Sequence, residues 1–188
     1  FDATDRGITD LTGLEHAINL EDLNLDFNDI TDLEPLKNLT NLTYLSVIYN
    51  EISDIAPLKG LTNLQFLALD KNNVEELEQL KGLTNLSYLS LINNEISDIT
   101  PLKDLTNLEF LMLDRNNVEN LEALSGLANL SMLSLQNNRI KDISPLENLN
   151  IAFLNLAYNE IKDISSLLTL PYLEFVLLMN NSLDFTEG

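Results

Sequence analysis

Leu86-Ser87-Tyr88-Leu89-Ser90-Leu91-Ile92-Asn93-Asn94 is the stretch that decides the fold of this 188-residue chain. Its pattern, Leu-x-x-Leu-x-Leu-x-x-Asn, recurs along almost the whole sequence, and each copy ends on an asparagine. Successive asparagines lie 22 residues apart, except for one step of 21 residues; they are Asn28, Asn50, Asn72, Asn94, Asn116, Asn138, Asn159 and Asn181. This spacing indicates eight copies of one structural unit.

The alternating leucines of the pattern predict a short β-strand with one buried face. Side chains alternate along a strand, so Leu89 and Leu91 point into the core while Tyr88 and Ser90 point to solvent. We expect the asparagine to cap the turn after the strand, because its amide can pair with backbone groups that would otherwise be buried without partners. One such strand in every unit is typical of a leucine-rich repeat.

A second half follows each asparagine and returns the chain to the next strand. Ile52, Ile55, Leu58 and Leu61 recur every three residues, which predicts a short 3₁₀-type segment with one buried face. Pro57 presets φ at the start of this turn, and equivalent positions hold Pro35, Pro101 and Pro145. The chain is therefore predicted to be an α/β-type repeat solenoid, a leucine-rich-repeat arc with a parallel concave β-sheet and short 3₁₀ or irregular convex segments.

We expect residues 1–188 to form a single domain of about eight repeats. Terminal repeats of such solenoids normally need caps with polar outer faces. Residues 1–7 supply at most half a repeat, with Arg6 where the asparagine would be, and residues 185–188 follow directly after the last repeat. We therefore expect both caps to be missing or truncated, with capping segments in the full gene product or else exposed, frayed ends.

The composition argues against several classes of function. The formal net charge is −20, from 30 acidic and 10 basic side chains, so nucleic acid and anionic membrane surfaces are poor partners. The chain has no cysteine and one histidine, His16, and it carries no phosphate-binding loop or metalloprotease motif. We expect no cofactor, no metal site, no catalytic residues and no membrane insertion.

Two recurring charged positions have a structural interpretation. An aspartate precedes several return segments, at Asp54, Asp98, Asp142 and Asp163, where its carboxylate is expected to cap backbone N–H groups. Calcium binding is the alternative there, but one carboxylate in each repeat supplies too few oxygens. A column of lysines on the return side, Lys37, Lys59, Lys81 and Lys103, is expected to form a solvated face.

A column of large side chains marks the predicted concave face. The residue before the second leucine of each strand faces solvent there, and six of the eight such positions are aromatic: Asp22, Tyr44, Phe66, Tyr88, Phe110, Met132, Phe153 and Phe175. This column holds half of the seven Phe and five Tyr residues of the chain. If each ring left a third to a half of its surface exposed, the six would form roughly 400–600 Å² of apolar surface, which usually marks an interaction site.

Neighbouring concave positions complete the candidate ligand-binding residues. The full set is Tyr44, Tyr49, Phe66, Lys71, Tyr88, Ile92, Phe110, Met112, Asp114, Arg115, Met132, Phe153, Tyr158 and Phe175. Aromatic anchors interleaved with charged side chains resemble protein-interface hot spots. Such rings could also stack on sugars, but an array along ~30 Å of arc suits a protein surface better than a short glycan. Strand propensity alone and contact with another copy of the chain remain alternatives.

Residues 94–108 resemble the repeat of the internalin family, the leucine-rich-repeat surface proteins of Gram-positive bacteria. The likeness rests on Asp98-Ile99-Thr100-Pro101-Leu102 and Leu105-Thr106-Asn107-Leu108 together with the repeat length, and it covers about residues 8–183. Residues 6–14 also resemble the entry repeat of such proteins. The helical cap, the immunoglobulin-like region and the wall-sorting motif of that family are not found in this sequence.

The resemblance implies an adhesin-like module, secreted or attached to the bacterial cell wall or cell surface, that grips a host protein with its concave face. The concave aromatic contacts typical of internalins carry over to Tyr44, Phe66, Tyr88, Phe110 and Phe153.

We therefore predict an extracellular protein-binding module without enzymatic activity, whose partner could be a host surface receptor. The first alternative is an intracellular regulatory scaffold that resembles the phosphatase-binding leucine-rich repeats. The second is a structural spacer in a surface protein. An enzyme would require a cleft with perturbed titratable groups, and nothing in the sequence builds one.

Overall fold

Short strands and 3₁₀ helices alternate along the chain, one of each in every repeat. The computed structural model describes residues 1–184. The strands are β1 (Asp22–Asn24), β2 (Tyr44–Ser46), β3 (Phe66–Ala68), β4 (Tyr88–Ser90), β5 (Phe110–Met112), β6 (Met132–Ser134), β7 (Phe153–Asn155) and β8 (Phe175–Leu177). The 3₁₀ helices are Leu14–His16, Glu34–Leu36, Ala56–Gly60, Glu78–Leu80, Thr100–Leu102, Glu122–Leu124, Ser144–Leu146 and Ser165–Thr169.

The strands form one parallel sheet in chain order, from β1 to β8. Its register places equivalent positions of successive repeats side by side, so Leu45 pairs with Leu67 and Leu67 pairs with Leu89. A residue type that recurs every 22 positions in the sequence therefore becomes a straight column on the sheet. The fold predicted from the sequence is confirmed.

The leucine and isoleucine columns fill the interior between the sheet and the return segments. Leu67 and Leu89 on the sheet are 0% exposed, as are Ile52 and Leu58 on the return side. Full burial of one such side chain stabilises the fold by about 1.5–3 kcal/mol relative to exposure. Because each repeat covers the apolar face of the next, this core runs the length of the arc.

The recurring asparagines form a buried ladder at the end of the strands. In one rung, Nδ2 of Asn94 donates to the carbonyls of Leu69 at 3.0 Å and Leu91 at 3.1 Å. Its Oδ1 accepts the N–H of Val74 at 2.9 Å. Each asparagine thus links its own turn to the preceding repeat, and it satisfies backbone groups that water cannot reach. The capping role predicted from the sequence is confirmed.

The return segments begin as the sequence predicted. Proline occupies the first turn of four of the 3₁₀ helices, as Pro57 does in Ala56–Gly60. The carboxylate of Asp54 accepts the N–H of Ala56 at 2.8 Å, and Asp98 does the same for Thr100. These aspartates satisfy the free N–H groups at the start of the helix, which is the role that the sequence predicted.

The first residues of the chain extend the sheet. Asp2 forms a parallel bridge with Asn24, and the N–H groups of Ala3 and Asp5 donate to backbone carbonyls beside β1, each at 2.9 Å. Near the other end, Tyr172 and Phe175 are 63% and 53% exposed. Positions 185–188 of the predicted domain lie outside the described residues, and the expectation about missing caps stays a prediction.

Candidate functional site

The predicted column of large side chains lies at the first residue of strands β2 to β8. The sheet register pairs Tyr44 with Phe66, Phe66 with Tyr88, and Tyr88 with Phe110. We call the whole column the aromatic stripe; its members are Tyr44, Phe66, Tyr88, Phe110, Met132, Phe153 and Phe175. The structure thus brings half of the predicted site residues together in one line along the concave face.

The rings of the stripe stack on one another. The ring centroids of Tyr44 and Phe66 are 4.3 Å apart with planes 13° from parallel, and those of Phe66 and Tyr88 are 4.2 Å apart at 8°. The Tyr88 and Phe110 rings are 6.2 Å apart and tilted. Because the faces of these rings contact neighbouring rings, the stripe offers mainly ring edges and tyrosine hydroxyls to a ligand.

This stacking reduces the exposed area of the stripe. Phe175 is 53% exposed, but the other five rings are half-buried. The area that the sequence predicted is therefore an upper bound, since it treated the rings as independent. What remains is a strip of ring edges on the sheet that runs along β2 to β5 and again along β7 to β8, with Met132 of β6 between the two parts.

Three aspartates on the concave side, one in every second repeat, accept hydrogen bonds from a serine hydroxyl and a backbone N–H of the next repeat. Oδ1 of Asp70 accepts hydrogen bonds from the Ser90 hydroxyl and from the Ile92 N–H, the latter at 2.8 Å. The same pair of bonds runs from Ser46 and Ile48 to Asp26, and from Ser134 and Gln136 to Asp114. We call Asp26, Asp70 and Asp114 the latch aspartates.

The latch gives Asp114 a structural role that the sequence analysis missed. One carboxylate oxygen is committed to Ser134 and Gln136, so only Oδ2 is left for a ligand. Burial raises the pKa of the equivalent Asp70 carboxyl above its usual value, against the opposing effect of its hydrogen bonds from Ser90 and Ile92. The latch therefore holds a charged group in a partly desolvated position.

Apolar side chains alternate with the latch aspartates on the floor of the concave face. Ile48 and Ile92 occupy the same column in the intervening repeats, and both are half-buried. Met112 lies one column nearer to the stripe and is also half-buried. The predicted site residues Ile92 and Met112 thus belong to the same surface as the stripe.

The residue before each ladder asparagine forms a second column, at the rim of the concave face. All eight have a left-handed backbone, with φ between 54° and 59°; they are Phe27, Tyr49, Lys71, Asn93, Arg115, Asn137, Tyr158 and Asn180. Asparagine tolerates this conformation, whereas a bulky aromatic residue rarely adopts it. The three aromatic members are nevertheless about half exposed, at 51%, 49% and 47% for Phe27, Tyr49 and Tyr158.

Phe27, Tyr49 and Lys71 form a continuous ridge on this rim, which we call the rim ridge. The Phe27 and Tyr49 rings stack with centroids 5.2 Å apart, and Nζ of Lys71 lies 4.3 Å from the centroid of the Tyr49 ring. The sequence analysis selected Tyr49 and Lys71 but missed Phe27. Its position directly before Asn28 was the signal that could have found it.

The predicted residues Arg115 and Tyr158 lie farther along the rim. They line a shallow trough of about 600 Å³ together with amide side chains, among them Asn93, Gln136 and Asn137. A second groove, of about 720 Å³, lies on the return side between Asp98, Lys103 and Glu122. Neither groove includes a member of the aromatic stripe.

The two tyrosine hydroxyls of the stripe stay protonated at neutral pH. Burial raises the pKa of Tyr44 and of Tyr88 above the usual value, and the nearby carboxylates Asp26 and Asp70, respectively, add to this effect. Both hydroxyls can therefore donate a hydrogen bond to a partner.

Clusters of metal-ligating side chains and membrane-spanning helices are absent from the part of the chain that the structure describes. Residues 1–184 contain no group of three or more His, Cys, Asp or Glu side chains that could hold a metal ion. They also contain no helix long and apolar enough to cross a bilayer. His16, the single histidine, lies 3.8 Å from Glu15 with its side chain 85% exposed.

One family model and a set of solved structures match this chain. The family model described as Leucine Rich repeats (2 copies) matches residues 18–60, 40–82, 62–104 and 106–148. Curated protein sequences give no match.

Two of the similar structures are internalins of Listeria monocytogenes. Internalin C2 is 37% identical with a TM-score of 0.90, over 94% of this chain and 79% of that one. An internalin described as inlF is 29% identical with a TM-score of 0.62, over 97% and 67%. The structure of PEPR1-AtPEP1 is 26% identical with a TM-score of 0.81, over 93% of this chain and 28% of that one.

The fold and the matched residues define a leucine-rich-repeat protein, a class of typically non-enzymatic modules that bind other proteins. Within this class, the chain belongs to the internalin-like leucine-rich-repeat family. The resemblance drawn from the repeat motif is thereby confirmed.

Proposed function

We propose that this chain is an extracellular recognition module of a bacterial surface or secreted protein, and that its aromatic stripe binds a protein partner. The observation that carries the proposal is the unbroken stacking of Tyr44, Phe66 and Tyr88 on a rigid sheet. Because these rings are already ordered, a partner that covers them loses little conformational entropy, so burial of the ring edges contributes directly to affinity.

The ring geometry favours a protein over a glycan. A sugar stacks on an open ring face, but Phe66 has a neighbouring ring on each side, at 4.3 and 4.2 Å. The edges and hydroxyls that remain suit aliphatic side chains and backbone carbonyls of a protein. A host cell-surface protein is the partner that membership of the internalin-like family favours.

Three other functions are tested by the same experiment. A structural spacer would not depend on the stripe, and self-association would show as capture of an untagged copy of the chain added to the host-cell extract. An intracellular scaffold would bind cytosolic proteins instead of surface proteins.

The experiment is a pull-down from surface-labelled host cells with three forms of the chain. One is the unmodified chain, one carries Tyr88→Ser and Phe110→Ser in the stripe, and one carries Lys59→Ser and Lys103→Ser on the return side. The lysines provide a matched control because both are exposed and neither forms an ion pair within residues 1–184.

We expect the unmodified chain and the lysine variant to capture the same surface protein, and the stripe variant to lose it. Capture by all three forms would place the binding surface outside the stripe, and capture by none would leave the spacer or the intracellular scaffold; either result would overturn the proposal. Circular dichroism of each variant checks that the sheet is intact.

A further inference from the structure

The latch aspartates carry charge that the protein itself does not neutralise. Asp26, Asp70 and Asp114 are half-buried, and none of them takes part in an ion pair within residues 1–184. Lys71 follows Asp70 in the sequence, but its ammonium lies over the Tyr49 ring instead. Partly desolvated carboxylates of this kind gain most from a cationic partner that arrives with the ligand.

One carboxylate oxygen of each latch aspartate is held in place by the fold. In each latch Oδ1 is held by one serine hydroxyl and one backbone N–H, as in Asp26 with Ser46 and Ile48 at 2.6 and 2.7 Å. No hydrogen bond within the described residues uses Oδ2 of these three side chains. Each latch carboxylate thus keeps one oxygen without a hydrogen bond within residues 1–184, and the three aspartates lie in one column of the sheet.

The spacing of this column selects a ligand conformation. The latch aspartates occur in every second repeat, so neighbouring carboxylates are about 9.6 Å apart, which is twice the ~4.8 Å strand spacing. A polyproline II segment turns once in three residues and rises about 9.3 Å per turn, so every third side chain lies on one face at nearly this spacing. An extended β-strand repeats each face after about 6.6–6.8 Å and fits poorly.

Aromatic side chains flank this column along β2 to β5 on the stripe side and at Phe27 and Tyr49 on the rim side, whereas the rim residue beside Asp114 is Arg115. The aromatic stripe lies toward the start of the strands, and the rim ridge of Phe27, Tyr49 and Lys71 lies toward their end. The contact of the Lys71 ammonium with the Tyr49 ring, at 4.3 Å, shows that the ridge accommodates a cationic side chain. Aromatic-lined grooves are also the usual recognition surface for polyproline II segments.

We propose that the concave face binds a polyproline II segment of its protein partner that carries lysine or arginine at every third position. Each basic side chain contacts Oδ2 of one latch aspartate, and the segment packs between the stripe and the rim ridge. This inference rests on the proposed function and adds the chemistry of the partner to it. The net charge of −20 favours a basic segment over an acidic one.

The test is a selection of random peptides of about twelve residues, displayed on phage, against the immobilised full chain; three latch contacts require about seven residues. Enriched peptides are synthesised and titrated calorimetrically against the unmodified chain, an Asp70→Asn and Asp114→Asn variant, and the Tyr88→Ser and Phe110→Ser variant. Asparagine removes the charge, but its Oδ1 can still accept the serine and backbone hydrogen bonds. Asp54→Asn and Asp98→Asn on the return side make the same change of charge and serve as the control.

The expected result is enrichment of lysine or arginine at positions three apart, with affinity lost by about tenfold or more in the latch variant and unchanged in the return-side control. The inference would be overturned by peptides that need the stripe but carry no lysine or arginine at positions three apart. It would also be overturned by peptides whose basic residues recur every seven positions, as on one face of a helix. Either result would leave the proposed function standing. No enrichment at all would likewise overturn the inference alone, because the pull-down tests the proposed function independently. Peptides that bind the stripe variant as well as the unmodified chain would contradict both.

Discussion

Phe66 and Tyr88 lie on neighbouring strands with ring centroids 4.2 Å apart and ring planes 8° from parallel. This contact follows from the register, which places both residues at the first position of their strands. The pair therefore links the repeat length in the sequence to the shape of the concave surface.

The ladder asparagines are predicted to be the most sensitive polar positions of the fold. Asn94→Ala removes four hydrogen bonds and leaves the N–H of Val74 buried without its acceptor, whereas the Leu69 carbonyl keeps the Nδ2 donor of Asn72. We expect a loss of about 2–4 kcal/mol in the free energy of unfolding, measured by urea denaturation.

The matched control for this change is Asn85→Ala in the same repeat. Asn85 is exposed and donates one hydrogen bond to the Thr62 carbonyl, at 2.9 Å. We expect this variant to lose about 0.5–1 kcal/mol. Equal losses at positions 85 and 94 would refute the special role of the buried ladder.

The backbone conformation of the rim residue Tyr158 is predicted to lower the free energy of unfolding. Its backbone is left-handed, with φ of 58°, and none of the described ring pairs includes it. We expect Tyr158→Asn to raise the free energy of unfolding by about 1 kcal/mol, because asparagine adopts this conformation more readily.

The converse substitution checks the cause. Asn137→Tyr, one repeat earlier at the same φ of 58°, is expected to lower stability by a similar amount. An unchanged or reduced stability of Tyr158→Asn would mean that the tyrosine makes compensating contacts in the fold.

The stability of the fold should respond to pH through Asp70. Its pKa is raised in the folded state by burial, so ionisation opposes folding: its favourable contribution is complete below the ordinary value of 3.8 and is lost as the pH rises through the raised pKa. Asp70→Asn should therefore be more favourable to stability at neutral pH than at low pH, relative to the unmodified chain. Urea denaturation across the acid range measures this difference.

Asp98 provides the comparison of opposite sign. Hydrogen bonds from the Thr100 side chain and backbone lower its pKa, so its contribution is present above 3.8 and is lost as the pH falls through the lowered pKa. We expect Asp98→Ala to be destabilising at neutral pH and nearly silent in strong acid. The same pH dependence at both aspartates would show that burial does not govern Asp70.

The sequence determined the architecture and the alignment of the columns, because a constant step of 22 residues sets which side chains become neighbours across the sheet. The repeat length alone was therefore enough to place Tyr44, Phe66 and Tyr88 in one line. The Ser90 bond to Asp70 was not predicted, since it joins two concave side chains of adjacent repeats that no single repeat pattern connects.

Two features of the concave surface could not be predicted from the repeat pattern alone. The half-buried state of Phe66 arises from rings on both sides, so exposure judged one residue at a time is too high. Phe27 was not predicted because its strand carries Asp22 where the later strands carry a ring, although Leu20, Leu23, Leu25 and Asn28 keep the repeat pattern. The Phe27 ring nevertheless stacks on Tyr49 slightly more closely than Phe153 stacks on Phe175.

The most direct test of the central claim, that the concave aromatic stripe is the surface in contact with a protein partner, is site-specific photocrosslinking. The photoreactive residue p-benzoylphenylalanine is introduced in place of Phe66 or Phe110 on the stripe, and in place of Lys59 or Lys103 on the return side. The proteins are then irradiated on intact host cells. We expect a covalent adduct with one surface protein from positions 66 and 110 and none from positions 59 and 103. Adducts formed only from the return side, or equally from both sides, would contradict the central claim.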